Sequence, residues 1–213
     1  MNKSKGFLSW FLICNIAIVV STFIHECAHG LSNWLAGYSV STGFNRVGNV
    51  YMYPRDADFR TGWTGGEILK DMGPAVTLLL AIIFTIIFLR LKYRNTLLHK
   101  SILAVAFSNA IIRLIPCVIV IIRMIAFSSG MEDETQQGEA WAQYFGWSFF
   151  SYIPLIMSIA VSLLCLFLIY RKFFSIKATK NIIVNPSWVW LAYVSSFIIL
   201  NILDNFIRIN WVA

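Results

Sequence analysis

From Phe7 to Ile24 the chain carries no charged residue, and further apolar stretches follow up to about residue 207. A helix needs roughly 20 predominantly apolar residues to cross a bilayer. Inside lipid only a helix or a closed barrel satisfies its own backbone hydrogen bonds. The run lengths therefore predict an all-α, polytopic integral membrane protein with about five transmembrane helices. Composition agrees, at 58% hydrophobic and 13% charged residues, against about 25% charged in a soluble domain. The net charge of +7 would suit nucleic acid. The basic residues, however, gather at the ends of apolar runs, where they orient membrane helices. The expected environment is the lipid bilayer, with no nucleic-acid partner.

The first span is expected from about Phe7 to Ala36, with Gly37 as its stop. Lys3 and Lys5 precede it and no small-residue cleavage site follows, so it reads as a retained signal anchor. Residues 38–72 are polar and glycine-rich, and within them Val47–Tyr53 is β-branched and aromatic, which predicts a short strand or hairpin. The second span opens at Asp71-Met72-Gly73-Pro74 and runs to Leu89, with proline suited to a first helical turn. The third, about Ser101 to Phe127, contains Asn109, Arg113, Pro116 and Arg123. Proline is expected to kink or break it, Asn109 to bond a neighbouring helix, and Arg113 to mark a site or a paired acid. The most acidic segment, residues 128–138, leads into a short helix over Glu139–Phe145. A fourth span, about Ser148 to Tyr170, is followed by a basic loop with Arg171, Lys172, Lys177 and Lys180, and a fifth span covers about Trp188 to Ile207. The four cysteines show no C-x-x-C spacing and read as small buried residues.

At the end of the first run stands His25-Glu26-Cys27-Ala28-His29. Positions i and i+4 share a helix face, so both imidazoles can reach one metal ion, and Glu26 lies where a carboxylate could take a proton from metal-bound water. The chain has three histidines in all, and two are here. Catalytic zinc takes three protein ligands and leaves a position for water. His99 lies in a basic loop at the far end, and Cys27 points off the histidine face, so a carboxylate is expected as the third ligand. The candidates are Glu132, Asp133, Glu134 and Glu139, with Asp71 as an outsider. Acids near a helix start also favour its dipole without binding any metal.

Counting Lys and Arg places the N-terminus, the 90–100 loop and the 171–180 loop on the cytoplasmic side. The histidine pair and the acidic segment then share the non-cytoplasmic side.

With these residues in view, the chain resembles the site-2 protease family of intramembrane zinc metalloproteases. His25-Glu26-Cys27-Ala28-His29 followed by Gly37 is similar to the family's embedded H-E-x-x-H. Gly73-Pro74-Ala75-Val76-Thr77 is similar to its G-P-x-x-N motif, and Asn109 and Pro116 followed by Asp133 to its third element. The resemblance covers roughly residues 20–140. The chain departs from the pattern at Thr77, where the family has asparagine, and at Glu134, where it has glycine. The charge count also puts the site on the side opposite to that in better-known members.

The resemblance implies a zinc-dependent endopeptidase acting on a membrane protein substrate. One zinc per chain would be held by His25, His29 and Asp133, with Glu26 as general base. A strand near the site, here 47–53, would pair with the unwound substrate. It also implies a protease core over residues 1–147 with two additional helices in 148–213. The rival expectations are a membrane zinc carrier or sensor, and a catalytically silent scaffold that keeps the fold.

Overall fold

The computed structural model describes residues 3–50, 72–92, 96–127, 132–179 and 188–213. The chain is mostly helical, with six α-helices and three short strands among the described residues. In chain order these are α1 (Lys3–Leu35), β1 (Val40–Thr42), β2 (Val47–Asn49), α2 (Met72–Arg90), α3 (Leu97–Phe127), α4 (Asp133–Phe145), α5 (Ile153–Thr179), α6 (Trp188–Leu203) and β3 (Ile209–Trp211). A 3-10 turn, Ser148–Tyr152, leads into α5.

Four helices are long and apolar enough to cross a membrane, over Phe7–Leu35, Met72–Arg90, Leu97–Phe127 and Ser148–Ser175. The fifth expected span is shorter: α6 has 16 residues, about 24 Å of helix against roughly 30 Å of hydrocarbon. The outer faces fit a lipid solvent. Leu8, Leu12, Ile16 and Val20 form an exposed stripe on α1, at the spacing of one helix face. Inside, Trp10, Cys14 and Ile18 of α1 meet Phe107 and Ala110 of α3, Ile169 and Phe173 of α5, and Val189 and Ala192 of α6. The alanines let helix axes approach closely.

Several boundaries differ from expectation. α1 stops as predicted, with Gly37 at φ 85°. α3 runs unbroken through Pro116, which lines a cavity, the setting in which membrane proline is tolerated. α4 begins at Asp133 rather than Glu139, because the Thr135 hydroxyl accepts from the Glu132 N–H at 2.9 Å and closes the first turn. α5 continues through Arg171 and Lys172 instead of ending in a loop. There Lys172 Nζ donates to the carbonyls of Phe88, Leu89 and Leu91 at 2.5, 2.7 and 2.7 Å, a C-terminal cap on α2 supplied by another helix.

The expected segment forms a strand over Val47–Asn49, while 51–53 lie outside the described residues. β1 pairs antiparallel with β2, Ser41 opposite Gly48, and on its other side with β3, Ser41 opposite Asn210, giving the order β2-β1-β3. Asp204, just past α6, anchors the turn between β1 and β2. Its carboxylate accepts from Phe44 N at 2.6 Å, Asn45 N at 3.0 Å and Arg46 Nε at 2.6 Å.

Candidate metal centre

The histidine pair sits on α1, facing inward, each residue 4% exposed. Helical i, i+4 spacing sets the two rings edge to face, with centroids 4.8 Å apart. Two features of α2 lock them. Gly73 packs its backbone against the pair, and a Cβ there would fall 2.2 Å from His29 Nε2 and 2.6 Å from His25 Cε1. One turn on, Thr77 Oγ1 lies 3.0 Å from His25 Nδ1 and 3.0 Å from the Gly73 carbonyl.

That last pair of contacts assigns the tautomer. A threonine hydroxyl has one proton, and a carbonyl can only accept. With the Thr77 proton on the Gly73 oxygen, His25 Nδ1 must be the donor to Thr77. When the imidazole is neutral, the lone pair is therefore on Nε2, the atom that faces His29 and Asp133. A second partner that fixes ring and tautomer in this way is the usual support of a metal-binding histidine.

Asp133, the first residue of α4, completes a triangle. Its Oδ2 is 3.2 Å from His25 Nε2 and 3.4 Å from His29 Nε2, and the two Nε2 atoms are 3.2 Å apart. The three side chains form a group that could hold a metal ion. Burial pushes the Asp133 carboxyl up, but the His25 and His29 imidazoles beside it outweigh that and hold it well below the usual carboxylate range. Beside it, burial and then the Asp133 charge raise Glu132.

The other acids go elsewhere. Glu134, 1% exposed, turns to Arg113, whose Nη1 donates to Glu134 Oε1 at 3.2 Å and to Asp133 Oδ2 at 3.3 Å. Arg113 thus has the paired acids that its mid-span position demands. Glu132 lines the cavity without joining the triangle. Glu139 is exposed on α4, and Asp71 lies outside the described residues. His99 stands on α3 beside Thr96, its Nδ1 2.6 Å from the hydroxyl. Cys27 is partly buried and directed to Thr42. Asn109 bonds Ser21 of α1 at 3.0 Å, the interhelical role expected of it.

The triangle opens into a cavity of about 550 Å³. Glu26, 8% exposed, lies on its wall with His25, His29 and Asp133. Two further contributors reach the cavity, and of these only Val47 belongs to a segment expected near the site. Tyr193, Phe197 and Leu200 of α6 form an apolar wall, and Asn45, Arg46 and Val47 bring the β1–β2 turn to the rim. Asp204, which holds this turn, offers a signal as the lone charged residue within the last expected span, Trp188 to Ile207, where a charge asks for a partner. Comparison of the chain with protein-family models, curated proteins and solved structures finds no match in any of the three.

Proposed function

We propose that the chain is a zinc-dependent intramembrane endopeptidase, hydrolysing a peptide bond in or near a membrane-spanning substrate, with its site on the non-cytoplasmic side. The observation that carries this is the triangle of donor atoms, with edges of 3.2, 3.2 and 3.4 Å. Ligands at about 2.0–2.1 Å around a tetrahedral zinc ion stand roughly 3.3–3.4 Å apart. Two imidazoles and a carboxylate are also a donor set that zinc accepts with one position left for water.

Bound there, zinc would lower the pKa of its water and polarise the scissile carbonyl. The chain's residues supply the rest. His25, fixed by Thr77, presents Nε2; His29 presents Nε2 and Asp133 presents Oδ2. Glu26 accepts the water proton on a carboxylate oxygen and returns it to the leaving amine. The apolar wall from α6 receives side chains of the substrate. A helical substrate must unwind to expose its carbonyl. β2 is an edge of the described sheet, and its Val47 lines the cavity, so an extended segment can add beside it.

A metal carrier needs no base between its ligands and ordinarily strings several binding groups along a path. Among the described residues His25–His29–Asp133 is the one such group, which favours the hydrolase. Metal analysis and cleavage separate the cases. Wild type should carry about one zinc per chain and His29→Ala little, while Glu26→Gln should keep zinc and lose cleavage of a membrane substrate. Full metal content after replacing both histidines refutes the site. Unchanged turnover in Glu26→Gln refutes the base, and zinc without any cleavage leaves the carrier or silent scaffold.

A further inference from the structure

Arg113 carries a full charge in the middle of α3 and is only 5% exposed. Both of its ion pairs, to Asp133 and Glu134, use one terminal nitrogen, Nη1. A guanidinium has five N–H donors in a rigid fork. Its Nε–H is buried and has no hydrogen-bond partner, and Arg113 lines the same cavity as His25, Glu26 and His29. A role as counter-ion accounts for Nη1 alone. A lysine could neutralise the two acids with three N–H donors to satisfy instead of five, and an unsatisfied buried donor is costly. Arg46, the other cation on the cavity wall, is already engaged by Asp204 at 2.6 Å and by Asn201 at 3.5 Å.

We propose that Arg113 is a catalytic residue, the donor to the oxygen of the scissile carbonyl. This rests on the hydrolase function above. Water adds to the carbonyl carbon and its proton passes to Glu26. The π electron pair moves onto the carbonyl oxygen, which faces the guanidinium. The C–N bond then breaks, and the amine leaves with the proton from Glu26. Arg113 keeps its own protons throughout and stabilises charge that exists only as the carbon becomes tetrahedral. Removal of one such donor costs about 100- to 1000-fold in rate.

The test uses the full chain in detergent with zinc, a hydrophobic peptide phosphinate as tetrahedral-anion probe, and the matched amide peptide. Zinc content, melting temperature and affinity for both peptides are measured for wild type, Arg113→Gln, Arg113→Lys and the double variant Arg113→Gln/Glu134→Gln. The double variant removes both buried charges, so it stays informative if the single glutamine variant fails to fold. The expected result is retained zinc in the double variant and phosphinate affinity lower by about 100-fold. Affinity for the amide should barely move, and lysine should restore only part of the loss. Equal phosphinate affinity in wild type and the double variant overturns the proposal, as does a zinc-loaded wild type that does not prefer phosphinate to amide. Loss of zinc in both the lysine and double variants overturns it too, reducing Arg113 to a positioning residue for Asp133. Absence of zinc from wild type is a separate outcome, which removes the hydrolase function itself along with this role.

Discussion

Thr77 receives the Nδ1 proton of His25 while giving its own to the Gly73 carbonyl, with both contacts at 3.0 Å. A residue that looked like a departure from a sequence pattern is thus the partner that orients a candidate ligand. Thr77→Val keeps the shape and removes the acceptor. Zinc affinity should fall about 10- to 100-fold, whereas Thr77→Ser should stay near wild type. Competition with a chelator of known affinity measures both, and equal affinity in the valine variant would show that His25 needs no such partner.

The acids of α4 should separate cleanly. Asp133→Ala removes one corner of the triangle and should abolish zinc retention after dialysis. Glu139→Ala, at an exposed position, should change nothing. Glu134→Gln should keep zinc, because the Glu134 carboxylate is directed to Arg113 and not to the histidines. Zinc retained by Asp133→Ala and lost by Glu134→Gln would move the ligand by one residue.

Asp204 joins the end of α6 to the turn that carries Arg46 and Val47 to the cavity rim. It is 3% exposed, and three donors converge on it. Asp204→Asn removes the charge and should destabilise the chain by about 2–3 kcal/mol, with Arg46→Gln milder because that side chain is about one-third exposed. Thermal unfolding in detergent tests the order, and a more damaging Arg46 variant would contradict it.

Orientation is open to a direct experiment. Reporter fusions at Asn95 and Gly130 should appear on the cytoplasmic and the opposite side respectively. The reverse pattern would place the triangle toward the cytoplasm and set aside the Lys/Arg count.

The helical membrane character and the shared face of His25 and His29 were legible because both are local properties, a hydropathy run and an i, i+4 spacing. Asp133 was one acid among several on residues alone, since a carboxylate at a helix start has reasons to be there other than a ligand. The extent of α5 was not legible, because basic residues such as Arg171 and Lys172 after an apolar run have the composition of a loop. A lysine stem can continue a helix while its ammonium finds carbonyls on a neighbour. The third strand was not legible at all. It is three residues long, and it pairs with residues about 170 positions upstream, for which no local pattern exists.

The cap that Lys172 places on the α2 carbonyls has a mechanical consequence. α2 is 19 residues long, about 28 Å, the shortest of the four spans and close to the thickness of the hydrocarbon layer. One end is pinned to α5 by Lys172, and the other presses Gly73 and Thr77 against the histidines. A strut so placed would couple membrane thickness to the ring of His25, because a helix pinned at both ends is less free to absorb mismatch by tilting. Zinc affinity measured in bilayers of graded acyl-chain length should therefore pass through a maximum, and Lys172→Met should flatten it.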